Sequence, residues 1–323
     1  MATIYEVAQR AGVSPATVSR VLNGIAVSPA YAERVRRAAE ELDFQPDRAA
    51  RRLRRRTSEV IALIIPDVEN PFFTALARGA EDRASEAGLS LVLCNTDEQE
   101  AKETRYLKVA LSERMAGVIL APSSHHPDLD ALVSRGTPVV AVDRGAHGYD
   151  LDSVVMDDVA IGRAGTERLY ASGHRRVACI TGPVDVDTAD QRADGWCEVF
   201  AAHHPGADPQ SMLVRADYRV DGGRRGMERL LGLPEPPDAV LVANNLMGVG
   251  AMRALDAHPG GDDVDLVVVG DLPFGLWPRP GSVVLPLPAR ELGTRAADRL
   301  IARIGGDQQD AHRIVVPVEP SHR

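Results

Sequence analysis

Arg20, and the run Arg51, Arg52, Leu53, Arg54, Arg55 and Arg56, are the residues of this chain whose chemistry is easiest to name. A guanidinium offers two parallel donors, which match the acceptors on the major-groove edge of guanine. Clustered arginines neutralise phosphates, and one large apolar side chain among them suits a wedge pushed between base pairs in the minor groove. A second group, Asp67, Asn70, Phe72, Phe73, Asp143, Arg144, Arg192, Trp196, Asn244 and Asn245, mixes carboxylate, guanidinium, amide and aromatic functions. That mixture suits a polyhydroxylated ligand, with hydroxyls bonded in the ring plane and C–H faces stacked on aromatics. Each member also has a structural use: Asn70 can cap its own helix, and Asp143 can accept a turn N–H.

The elements that must position the first group lie in the first 56 residues. Thr3 and Glu6 form a capping box, so a helix starts at Ile4, buries Val7, Ala8 and Ala11, and stops at Gly12. Ser14 caps a second helix with Pro15 at its first position; Val18, Val21 and Leu22 face inward and Ala16, Thr17, Ser19, Arg20 and Asn23 outward. Ser28 and Pro29 start a third helix, with Tyr31, Val35, Ala38 and Leu42 expected inward. A plain three-helix bundle with solvated charges would use the same pattern. Asp47 can cap a short hinge helix from Arg48 through Arg56, which like charges at close spacing leave largely unfolded alone. A charged linker with an incidental leucine is the alternative there.

Charge divides the chain the same way. Residues 1–59 carry 11 arginines against 7 acidic residues, a balance of +4, while the remainder stands at −13 of the overall −9. An acidic body repels nucleic acid, so contact with it is confined to the head. At 323 residues there is room for that head and a body of one or two α/β lobes. Cys94, Cys179 and Cys197 have no CxxC or zinc-ligand spacing and read as buried thiols. Neither an export leader nor an apolar run of about 18 residues is present, so a soluble cytoplasmic protein with no membrane association is expected.

From Val60 onward, short apolar strands alternate with helices. The strands expected are 60–65, 89–94, 117–120, 139–142, 177–181, 239–243 and 266–270, with helices such as 72–87 and 99–113 between them. Continuous apolar strands separated by helices imply parallel sheets covered on both faces, whose ligands bind beyond the carboxyl ends of the strands. The second residue group sits at those ends.

Two stretches are specific enough to carry a resemblance. TIYEVAQRAGVSPATVSRVLN at Thr3–Asn23 and FQPDRAARRL at Phe44–Leu53 closely resemble the LacI/GalR family of bacterial transcription regulators. IIPDVENPFF, AVDRG, RADGW and VANNLMGVGAMRAL extend the resemblance through the body. It implies an all-α helix-turn-helix head with a hinge helix, followed by a two-lobed α/β effector domain like periplasmic binding proteins, with parallel sheets. The divisions expected are 1–46, 47–59 and 60–323, with one lobe at 60–157 and 286–308 and the other at 158–285 and 309–320. By this resemblance Pro15, Ala16 and Arg20 read bases, Thr17, Ser19 and Asn23 lie near phosphates, Arg51 belongs to the hinge contacts, and Leu53 opens the minor groove. Phe72, Asp143, Arg144, Arg192, Trp196, Asn244 and Asp271 are the effector candidates.

The same resemblance implies a homodimeric repressor on a pseudo-palindromic double-stranded DNA operator, released or tightened by a small molecule, most simply a sugar or sugar derivative. A non-sugar ligand, a protein corepressor or a non-regulatory sugar-binding module are the alternatives. The sequence departs from the family at Asp47, where Asn is usual, at Asn244-Asn245, where Asn-Asp is usual, and at Gly270-Asp271, where an aromatic and a carboxylate are missing. Asp271 is the candidate substitute.

Enzyme motifs are absent: there is no GxSxG, GxxxxGK[ST], HExxH or strand-borne GxGxxG. Gly222, Gly223 and Gly226 read as a loop, and His125-His126 and His203-His204 as solvated pairs in polar loops. No catalysis, metal or cofactor is expected.

Overall fold

The computed structural model describes residues 3–22, 27–42, 44 and 58–318. The chain forms two compact units, 1–58 and 59–323.

In the first unit, α1 (Ile4–Ala11), α2 (Pro15–Leu22) and α3 (Pro29–Glu41) enclose a small core of Val7, Ala8, Ala11, Val18, Val35 and Ala38. The capping box is formed: Glu6 N–H donates to Thr3 Oγ1, and Thr3 N–H donates to Glu6 Oε2 at 2.6 Å. Gly12 ends α1 with φ 62°, which a residue without Cβ adopts freely. Ser14 Oγ accepts from Thr17 N–H at 3.2 Å, so the cap of α2 is also present. Tyr31 corrects the expected inward stripe of α3. It is exposed, with the Arg34 guanidinium 5.7 Å from its ring centre. The buried positions of α3 are Val35 and Ala38 alone.

The second unit holds two parallel sheets. The six-stranded sheet has the order β11 (Arg313–Val315), β5 (Asp152–Val155), β4 (Val139–Val142), β3 (Gly117–Leu120), β1 (Val60–Ile65), β2 (Ser90–Asn95). The five-stranded sheet runs β10 (Ser282–Leu285), β9 (Asp265–Val269), β8 (Ala239–Val242), β6 (Val177–Thr181), β7 (Leu213–Arg215). The first sheet carries α4 (Pro71–Glu86), α5 (Glu100–Ser112), α6 (Asp130–Ser134) and α11 (Ala289–Ile304); the second carries α7 (Asp158–Ala171), α8 (Asp187–His203), α9 (Val220–Leu231) and α10 (Asn245–Asp256). Strand interiors such as Ile61–Ile65 and Val240–Val242 are fully buried, as parallel sheets covered on both faces require.

Two expectations are corrected. The tail segment assigned to the second lobe returns to the first, because β11 pairs with β5 through Arg313, Ile314 and Val315. Gly222, Gly223 and Gly226 lie inside α9 rather than in a loop. They are there because α9 and α10 nearly touch: a Cβ on Gly223 would meet Met247 O at 2.1 Å, and one on Gly250 would meet Val220 O at 1.8 Å. Close helix contact outweighs the low helix propensity of glycine, about 1 kcal/mol per residue.

Candidate functional site: the inter-sheet cleft and the α2 surface

Helix α2 presents Pro15, Ala16 and Arg20 as exposed residues, with Thr17 and Ser19 half-buried beside them. The Thr17 hydroxyl lies 2.9 Å from Ser14 Oγ, so it faces the start of the helix. Asn23, Asp47, Arg51 and Leu53 lie outside the described residues.

In the second unit the carboxyl ends of β1, β4 and β8 converge on one cavity. It is lined from the first lobe by Asp67, Asn70, Phe72, Phe73, Glu98, Asp143, Arg144 and Leu287, and from the second by Thr188, Arg192, Tyr218, Arg219, Asn244, Asn245, Val269 and Gly270. Asn70 caps α4, accepting from Phe72 N–H at 3.0 Å, and so sets Phe72 and Phe73 edge to face at 5.0 Å. Asn244 caps α10 in the same way, accepting from Met247 N–H at 3.0 Å. Both candidates therefore serve the fold as well as the cleft.

The charges are matched pair by pair. Arg144 forks onto Glu98 with bonds of 2.9 and 3.0 Å and also donates to Pro122 O. Arg192 donates from Nε to Asp158 Oδ1 and from Nη1 to Ala243 O, both at 2.7 Å. Arg219 crosses between the lobes and donates to Asp67 Oδ2 at 2.7 Å. Asn245 crosses as well, its Nδ2 donating to Asn70 Oδ1 at 3.0 Å and to Asp271 O at 2.8 Å. These bridges join the two lobes across the cleft, and the cavity between them measures only about 30 Å³. Ligand pockets run to hundreds of cubic ångströms, so this arrangement has room for no more than water-sized groups.

Burial perturbs the acids in this cleft. Asp143, with φ 68°, is pushed up to about 6 by desolvation, which Arg144 and Arg192 only partly offset and Asp158 reinforces. Desolvation also raises Asp158, against the pull of Arg192. Tyr218 is pushed up to about 12 by burial, and its hydroxyl lies 3.1 Å from Thr188 Oγ1. Burial disfavours the Arg144 cation, yet Glu98 and Asp143 hold it above its ordinary range.

Two sequence candidates are placed elsewhere. Trp196 is fully buried, its Nε1 donating to Val177 O at 3.2 Å and its ring 4.9 Å from Phe200. It sits one turn beyond Arg192 on the same face of α8, and that turn carries it from the cleft into the core. Asp271 offers the cleft its backbone carbonyl, through Asn245, while its side chain is exposed. Tyr218 and Arg219 escaped the sequence reading because β7, which delivers them, is three residues long and its glycine-bearing helix looked like a loop.

Residues 3–47 match the model for bacterial regulatory proteins of the lacI family, and residues 58–321 that for periplasmic binding proteins and the sugar binding domain of the LacI family. The chain belongs to the LacI family. It is a DNA-binding transcriptional regulator whose helix-turn-helix precedes an α/β domain with parallel sheets. A ribose operon repressor of Halalkalibacterium halodurans is 35% identical over 325 residues, 99% of this chain and 95% of that protein. One from Escherichia coli is 35% identical over 310 residues, covering 94% and 93% of the two chains. Among solved structures, a lac repressor dimer bound to operator and the anti-inducer ONPF superposes with TM-score 0.81 at 26% identity, covering 99% of this chain and 98% of that one. The transcriptional regulator CelR in complex with cellobiose gives 0.73 at 30%, with the same coverage. Among the described residues of this LacI-family protein, no helix is long and apolar enough to cross a membrane.

Proposed function

We propose that this LacI-family regulator is a cytoplasmic homodimeric repressor, not an enzyme and without a cofactor, whose hold on a near-palindromic operator is set by a neutral monosaccharide in the cleft. The observation that carries the ligand class is charge matching. Each arginine lining the cavity already has its own carboxylate: Arg144 with Glu98, Arg192 with Asp158, and Arg219 with Asp67. Among the described residues lining the cavity no cation lacks a carboxylate, and Arg144 stands 3.2 Å from Asp143 as well, so none is left over for a phosphate, whereas Asn244, Thr188 and Tyr218 and the second oxygen of Asp143 offer the acceptors and donors that hydroxyls need. The names of the ribose operon repressors point to a pentose. Two heads would place one α2 in each major groove, with Arg20 on a guanine edge and Leu53 at the central step.

In this reading the sugar replaces the Arg219–Asp67 bridge with its own hydroxyls and changes the angle between the lobes. That couples the cleft to the operator by about 1 to 3 kcal/mol. Thermal unfolding with ribose, other pentoses, hexoses, cellobiose, nucleosides and ribose 5-phosphate tests the proposal. A ligand at about 100 times its Kd adds about 2.7 kcal/mol, which moves the midpoint by several degrees. A response to a neutral monosaccharide, accompanied by altered operator affinity, supports it. A response to the phosphate alone overturns the charge argument.

A further inference from the structure

A second cluster lies outside that cleft. His125 follows β3, His147 follows β4, and Asp187 opens α8 in the other lobe. The Nε2 atoms of both histidines stand 2.9 Å from the same oxygen, Asp187 Oδ1. The other carboxylate oxygen, Oδ2, accepts from Gly145 N–H at 2.9 Å, and His147 N–H donates to His125 O at 2.8 Å. Backbone bonds thus anchor the carboxylate and join the two loops that carry the histidines.

In each histidine pair expected to be solvated, one member is exposed, His126 and His203, and the other, His125 and His204, is half-buried. His203 and His204 pack on Tyr170 at the end of α8, His203 stacking at 3.8 Å. His125 is half-buried, and its Nε2, though close to Asp187, makes no hydrogen bond of acceptable angle and is closed off from solvent. A buried imidazole nitrogen without a directed partner is a group that a further ligand would satisfy.

We propose that His125, His147 and Asp187 bind a divalent transition ion, zinc in the first instance, across the mouth of the two lobes. All three candidate ligand atoms lie within 4.8 Å of one another. Donors around a tetrahedral zinc at their usual bond lengths stand ~3.4 Å apart, so each imidazole must draw back from Asp187 Oδ1, now at 2.9 Å, by about half an ångström, and no pair of donors has to close by more than about 1.4 Å. Two neutral imidazoles and one carboxylate are a zinc ligand set of the open kind, with water in the fourth position. Because two ligands come from one lobe and the third from the other, the ion favours the closed arrangement of the lobes. It is a second input to the regulator, separate from the sugar cavity.

The test is calorimetric titration of the tag-free, chelator-stripped full chain with zinc alone, together with its thermal midpoint. One ion per chain at micromolar affinity or better, a midpoint raised by several degrees, and at least tenfold weaker binding in His147→Ala are expected. His147 is half exposed, so that variant keeps its fold, which circular dichroism checks. His125→Ala should lose affinity equally, and His258→Ala should not. Binding no tighter than millimolar, or binding unchanged in both His125→Ala and His147→Ala, would overturn the site.

Discussion

The residues of α2 and those of the cleft answer to different constraints. Pro15, Ala16 and Arg20 are exposed, and the small core of the head is built from other side chains. In the cleft, Asp143, Arg144, Arg192, Asn244 and Asn245 are all buried: Arg144 pairs with Glu98 and Asp143, Arg192 with Asp158, Asn244 caps α10 and Asn245 bonds Asn70. Substitution on the first surface should change what is recognised. Substitution in the cleft should change recognition and folding together.

The strongest test of that contrast is Arg192→Ala. It leaves Asp158 buried beside Asp143 without its cation, a change that destabilises proteins by about 3–5 kcal/mol. Chemical denaturation of the full chain should show this loss in the body. A variant that loses its sugar response at unchanged stability would break the contrast, because Arg192 would then serve the ligand alone.

Next in size is the pH dependence that Asp143 confers. Its folded-state value near 6 lies above the ordinary 3.8, so between about pH 4 and 6 the folded protein holds a proton that the unfolded chain has released. Stability from this group is therefore highest at the acid end and falls as pH rises to 6, by about 1.4 kcal/mol per unit. Asp143→Asn should be more stable than wild type at pH 6.5, by about 3 kcal/mol at most, with the difference shrinking toward pH 4. Asp158 and Glu103 are raised in the same sense, so the wild-type and mutant difference is the quantity to follow. A difference that stays constant with pH would contradict a buried, desolvated carboxylate.

The same contrast explains what was legible in the sequence. VIALII and VVAV declare buried strands because every residue is apolar, and the polar residues that follow them, Asp67, Asp143 and Arg144, were found with them. The strands β5, β7 and β11 are only three or four residues long and mix polar with apolar positions, so no period is visible in DSVV, LVR or RIV. Tyr218 and Arg219 were lost with β7. Trp196 was misplaced because helical spacing reports the face a residue occupies but not how far along the axis the cleft ends. The partners Glu98 and Asp158 come from loops and helix starts distant in sequence from the arginines they match, and only the fold brings them together.

On the exposed side of the comparison, Arg20→Ala should leave stability unchanged and weaken operator binding by about 1–3 kcal/mol, with discrimination relaxed at one base position. Binding titrations against single-base operator variants at fixed salt measure it. Uniform weakening on every sequence would make Arg20 a phosphate contact instead.

The smallest effect sharpens the contrast within the head itself. Thr3 reads no base in this account, but its hydroxyl accepts from Glu6 N–H at the start of α1. Thr3→Ala should destabilise that helix by about 1 kcal/mol, while Thr3→Ser retains the cap. Hydrogen exchange in the full chain should show faster exchange at Glu6, the amide that the Thr3 hydroxyl caps, while amides in β3 of the body keep their rates. The reason is that the head is a separate compact unit whose core shares none of its buried residues with the sheets. Equal acceleration in Val118–Leu120 would mean that both units open together, and the division between a freely substitutable surface and an interlocked cleft would no longer follow from their separate cores.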